Sequence, residues 1–380
     1  TTSDGRASVD EDGRLSRLEV GRSWEQILSG KVKSQLEDLL PAYLRGRRWF
    51  GGKAQQIKKV AVQGFVPLQD NAFSALIAFA AIDYMDGNSE TYVLPLAFAS
   101  GPQAEAVLHE HRWAALTRLW IKSTGEEGIL FEATALKDFG RALIKAIDRR
   151  HRRKGAAGEL ICSRTPVFRR ICEINPASLE PSLLAAEQSN TSLVYGSCFI
   201  LKLFRRLQDG TNPDLEIGRF LTEKGFAHIP PVAGALEYRR GRQKPQTIGI
   251  LQGFIPNQGD AWEYTLNTLA HYFENVLAKQ SEKTPPTVPR VSFMELAETS
   301  IPSNVSELIG IYMESVRILA LRTAELHRVL ASPSQDPKFA PEAFSKLYQR
   351  SLYQSMRTLA GRTLPLLRRH LKDLPEDVQQ

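Results

Sequence analysis

At 380 residues, 42% hydrophobic and 24% charged, the chain has the balance of an ordinary soluble protein, with length for two or three domains and a substantial core. No apolar run approaches the roughly 18 residues of a membrane span, and residues 1–14 hold no apolar signal region, so neither a membrane partner nor secretion is expected. Net charge is +7, densest at residues 149–154, but no aromatic side chains interleave that run as stacking platforms, so nucleic acid is not expected as a partner.

Residues 1–21 are polar and aperiodic and read as a linker. Residues 22–101 read as an N-terminal α/β cap domain. A helix from Ser23 to about Leu44 carries apolar Ile27, Val32, Leu36, Leu39 and Leu40. Strands are expected at 58–67, 73–82 and 90–98, separated by turn signals that favour an antiparallel sheet. Residues 45–53 imitate a phosphate loop. A Walker A loop, however, needs Gly where Arg47 stands and Ser or Thr where Ala54 stands. Trp49 and Phe50 are instead expected to dock the helix on the sheet, with Gly51-Gly52 permitting the turn.

Residues 102–251 read as an intermediate and nucleotide-binding lobe. A helix is expected over 104–122; its His109 and His111 point to different faces, which argues against a metal site. Asp138-Phe139-Gly140 spells the metal-binding triplet of protein kinases. It opens a helix at 136–149, upstream of the lysine discussed below, whereas the working triplet must follow a catalytic loop; the match is coincidence. Strands are expected at 159–167 and 170–174. Cys162, Cys172 and Cys198 are odd in number and fit a reducing cytosol rather than a disulfide scaffold.

The organising stretch is 187–223. Residues 194–203 read as one strand, rich in β-branched, aromatic and aliphatic residues, with Lys202 inside it. Asp209, Gly210 and Asn212 break the run, and Asn212-Pro213-Asp214 supplies an N-cap, a helix-opening Pro and a first-turn acid. Glu216 lies one turn in. A strand Lys and a Glu on the next helix form the constellation that holds nucleotide phosphates in kinase-like folds. Gln188, Ser189, Asn190, Thr191 and Ser192 are candidates to cover those phosphates. Equally, Lys202 reads as a strand residue reaching solvent and Glu216 as part of a wet helix face. Strands follow at 235–238 and 247–254, and Gln252, Gly253 and Phe254 sit where kinase-like folds hinge and hold adenine. Residues 252–380 read as the first helices of a C-terminal lobe, helical from Asp260 onward, with helices at 261–279, 304–330 and 341–371 and a Pro-rich break at 284–289. His327 has no acid partner at a recognisable spacing.

Three ordered blocks, QSNTSLVYG with FILKLFRRL and NPDLEIGRFLTE, LPAYLRGRRWFGGK at 40–53, and TAELH at 323–327, resemble bacterial maltokinases over about residues 21–380. The resemblance implies an α+β, protein-kinase-like (aminoglycoside-phosphotransferase-like) fold with an N-terminal cap domain and an incomplete C-terminal helical lobe. It implies transfer of a phosphoryl group from ATP, with Mg²⁺, to maltose in the cytoplasm, within a trehalose synthase–maltokinase fusion. Lys202 would hold phosphates and Glu216 would orient it. Such a kinase needs a catalytic Asp, usually in a His-x-Asp loop. None of the seven histidines has Asp two residues on. The expectation is a chain truncated before that loop: no catalytic or metal-binding residue is assigned here, both lying beyond Gln380, and an apolar surface is left exposed. A non-catalytic docking module of a trehalose synthase fusion is the alternative. A polyanion binder acting through residues 149–154 is a weaker third reading.

Overall fold

The computed structural model describes residues 15–70, 73–173, 175–184, 189–279, 291–333, 336–376 and 378–379. The chain falls into two compact units, Thr1–Met313 and Glu314–Gln380. The fold is α+β, with both sheets in the first unit.

The first unit opens with β1 (Arg17–Val20), a 3-10 turn at Trp24–Leu28 and α1 (Gly30–Arg45). The continuous helix expected from Ser23 is broken before Gly30, whose φ of 56° is a left-handed conformation that glycine adopts readily. Next come β2 (Ile57–Asp70), β3 (Phe73–Tyr84), β4 (Ser89–Ser100) and α2 (Gly101–Glu110), then β5 (Ala115–Ile121) and β6 (Glu126–Glu132). The helix expected over 104–122 is therefore only half correct. Residues 117–121 alternate in burial, and the strand pairs with β1 in parallel and with β6 in antiparallel register, so sheet contacts override the helical reading. The first sheet runs in the order β1-β5-β6-β4-β3-β2. Hence Arg17–Val20, assigned above to a linker, is a strand, and the cap sheet continues past residue 101 to Glu132.

The uninterrupted apolar run of β3 follows from burial on both faces. Leu76, Ala78, Ala80 and Ile82 pack with Leu36, Leu40 and Tyr43 of α1. Ala75, Ile77 and Phe79 face the opposite core, around α3 (Lys137–Asp148). Trp49 and Phe50 are buried beside Tyr92, with ring centroids 6.0 and 5.2 Å away, as the docking role expected of them requires.

The second sheet begins with β7 (Arg152–Lys154) and β8 (Glu159–Arg164). After it comes α4 (Val167–Ile171), where a strand over 170–174 was expected, Ile174 itself lying outside the described residues. The helix places Phe168 in a stack with Phe199, centroids 4.9 Å apart. Then come β9 (Pro181–Leu184), β10 (Asn190–Tyr195), β11 (Phe199–Phe204), β12 (Arg206–Leu207), α5 (Pro213–Glu223), β13 (Val232–Arg239) and β14 (Gln246–Gly253). The order is β7-β8-β13-β14-β11-β10-β9, and every paired neighbour is antiparallel. The single strand expected at 194–203 is a hairpin, because Gly196 turns with φ 54° between β10 and β11. The strand β12 leaves this sheet to pair with β4 of the first. The main core lies between the two sheets around α3; a smaller one joins Leu215 of α5 to Phe204, Val232, Ala235 and Ile250.

Helices α6 (Ala261–Lys279), α7 (Phe293–Ala297) and α8 (Ser303–Ile309) follow, and α9 (Tyr312–Leu330) carries the chain into the second unit. Gly310, at φ 61°, divides the helix expected at 304–330 into α8 and α9. In the second unit α10 (Lys346–His370) buries none of its residues, and Leu347, Tyr353, Met356 and Leu359 are largely exposed. Among the described residues, no helix is long and apolar enough to cross a membrane.

Candidate nucleotide site and its buried support

Alternation along β11 sends Leu201 and Leu203 into the core around α3 and Lys202 to the other face, where α5 lies. Lys202 is opposite Ser192 on β10 and Ile250 on β14. Its Nζ lies 3.4 Å from Oδ2 of Asp214 and 5.4 Å from the Phe204 ring centre. Asp214 is held there by the local chemistry read above. Oδ1 of Asn212 accepts from the Asp214 N–H at 2.8 Å, Pro213 opens the helix, and Thr247 Oγ1 accepts from the Asn212 N–H. The result is an ammonium on the face of a sheet, beside the positive end of a helix and partly open to water, which suits a polyphosphate.

The structure thus brings Lys202 to the expected helix and sets Asp214 against it. Glu216 sits two residues further on and is half-buried. Residues two apart on a helix do not share a face, so Asp214 is the carboxylate beside the ammonium. Sequence reasoning treated Asp214 only as a first-turn acid; its place in the Asn-Pro-Asp cap was the available signal.

The residues expected to cover the phosphates have differing surroundings, and Ser192 is the one in register with Lys202. Gln188 lies outside the described residues. Ser189 is exposed, and its hydroxyl accepts from the Asn190 side chain at 3.2 Å. Thr191 and Ser192 are buried strand residues of β10, not a loop, and Thr191 Oγ1 is occupied by Nε of Arg205 at 2.7 Å. The residues expected at the hinge lie at the end of β14 and its exit. The Gly253 N–H donates to Pro231 O and the Phe254 N–H to Cys198 O, both at 2.9 Å, and Gln252 is in register with Ile200 and Val232. The Gly253 and Phe254 amides are thus bonded within the sheet and at its exit.

Behind the ammonium lies a network that the sequence did not announce. Arg205, just past β11, and Glu132, at the end of β6, form an ion pair with both side chains 2% exposed. Tyr43 of α1 donates to Glu132 Oε2 at 2.7 Å, Thr134 donates to Oε1, and the Arg205 guanidinium lies 4.7 Å from the Trp49 ring centre. The Val93 N–H donates to Arg205 O at 2.7 Å, tying the same residue to β4. Burial pushes the Glu132 carboxyl upward, but the Arg205 charge and the hydrogen bonds outweigh it and hold the group below the usual carboxylate range. Burial and the neighbouring carboxylate push the Tyr43 hydroxyl well up. The network joins the two sheets three residues from Lys202. Among the described residues, no three His, Cys, Asp or Glu side chains gather as a metal set.

A family model described as the maltokinase N-terminal cap domain matches residues 43–135. The matched segment starts at Tyr43 and ends just past β6, so it includes both Tyr43 and Glu132. Among solved structures, a glucosamine kinase in complex with glucosamine, ADP and inorganic phosphate is 14% identical. That alignment covers 78% of this chain and 51% of that one, with a TM-score of 0.38. Crystal form A of glucosamine kinase is 14% identical over 72% of this chain and 45% of that one, with a TM-score of 0.36. The chain spans about half the length of these kinases.

Proposed function

We propose that this chain, maltokinase-like in its cap domain, is the nucleotide-holding part of an ATP-dependent kinase acting on a sugar hydroxyl, with maltose as the acceptor and maltose 1-phosphate as the product. One observation carries the reading: Lys202 stands on a central strand, with Asp214 of the next helix 3.4 Å away. Catalysis of phosphoryl transfer is mostly positioning and charge stabilisation, and an ammonium steered by a carboxylate supplies both for the phosphates. The strand, N-capped helix and two antiparallel strands follow one another in kinase-like order. Magnesium would enter with the nucleotide phosphates and neutralise charge developing on them. A cytoplasmic setting and association with trehalose synthase belong to the same reading.

Titration of the chain with a fluorescent ATP analogue tests it. Lys202→Ala and Asp214→Asn should each weaken binding, the first at least tenfold, equivalent to about 1.4 kcal/mol. Melting temperatures should hardly move, because a solvent-facing pair contributes only about 0–1 kcal/mol to stability. Equal binding by parent and Lys202→Ala would overturn the proposal. The exposed apolar residues of α10 favour a second reading, a docking module without nucleotide binding, and absence of ATP binding in every variant would support it.

A further inference from the structure

A cleft of about 520 Å³ opens beside the first sheet, and none of its lining residues belongs to the Lys202 site. This volume is within the roughly 300–1,000 Å³ of small-molecule sites. It is built by the 3-10 turn Trp24–Leu28, the adjoining ends of β2 and β3, β4, the first turn of α2 and one face of α3. Spacings of three and four residues put Asp138, Arg141 and Lys145 of α3 together along the cleft.

The charges there are answered locally. Lys145 Nζ lies 2.6 Å from Asp70, and Arg141 lies 2.8 Å from Asp138 while also bonding Glu180. Two lining cations therefore meet two lining carboxylates, and an anionic ligand would have to compete with both acids. What remains free is hydrogen-bonding capacity. A carboxylate has about four lone-pair sites and a guanidinium five N–H groups, more than these pairs use. The amide of Gln103 adds a donor and an acceptor, and the rings of Trp24, Phe73 and Phe98 supply apolar wall. A pyranose offers the complement: a C–H face for rings and a rim of hydroxyls for paired charges held in place by each other.

We propose that this cleft binds a short neutral saccharide, at a site separate from the nucleotide-holding lysine. The proposal does not rest on the kinase reading. Saturation-transfer NMR and calorimetry on the full chain test it, with maltotriose and cellobiose as probes and inorganic phosphate as the charged competitor. Gln103→Ala and Asp138→Asn alter solvent-facing groups, so unchanged melting temperatures will show that both variants fold. Saturable binding of at least one saccharide is expected, weakened at least tenfold by each variant and unchanged in Lys202→Ala. No saturable binding at about 10 mM saccharide, well above an ordinary weak dissociation constant, would overturn it. So would binding indifferent to both variants, binding displaced by phosphate, or binding lost in Lys202→Ala.

Discussion

Removing the carboxylate of Glu132 is the sharpest test of how the two sheets are joined. In Glu132→Ala the Arg205 guanidinium stays buried without its counter-charge, and the Tyr43 and Thr134 hydroxyls lose their acceptor. Breaking one side of a buried pair costs about 3–5 kcal/mol, whereas replacing both partners by apolar groups is often close to neutral. With a urea dependence of about 3 kcal/mol per molar for a unit of this size, the midpoint should fall by roughly 1–1.7 M. Trp49, stacked beneath Arg205, reports the transition by fluorescence. The double variant Glu132→Leu with Arg205→Met should be more stable than Glu132→Ala. A single-variant loss below about 1 kcal/mol, or costs that simply add in the double, would refute the argument. The pH dependence has a definite sign. Because the folded Glu132 carboxyl titrates below its unfolded value, its stabilisation is present above the ordinary carboxylate range. It is lost as pH falls through the folded value, and Glu132→Gln should flatten that part of the acid-stability curve.

Two further outcomes follow from local geometry. Asn212→Ala removes the acceptor of the Asp214 N–H and should destabilise α5 by about 1 kcal/mol in urea titration, while weakening ATP binding by loosening Asp214; Asn212→Asp should retain both. The cysteines should be slow to react with an aromatic disulfide at pH 7.5. Burial pushes the Cys162 thiol up to about 12; burial and then the neighbouring Cys172 push that of Cys198 up to about 11. Rapid labelling of Cys162 in the native chain would contradict its burial, and urea should expose all three thiols.

Much of the local structure could be read from the residues themselves, because short-range chemistry governs it. Asn212-Pro213-Asp214 defines the start of α5, the apolar period of residues 137–148 defines α3, and turn signals separate β2, β3 and β4. Other elements depended on partners far along the chain. The Tyr195-Gly196 turn inside an apolar run, the β-pairing of 115–121 and the helical state of 167–171 were settled by what packs against them. The buried Arg205–Glu132 pair joins residues 73 apart, and no spacing rule announces such a contact. The hydroxyls of Thr191 and Ser192 show the same limit: composition shows that they are present, but the register of the hairpin decides that Thr191 meets a buried guanidinium while Ser192 stands opposite Lys202. Sequence alone determined that Lys202 lies in a strand ahead of a capped helix, since propensity and capping act over a few residues. Only the tertiary structure decided which carboxylate meets it and that its strand is anchored to the other sheet, since those contacts exist only once distant segments are packed together.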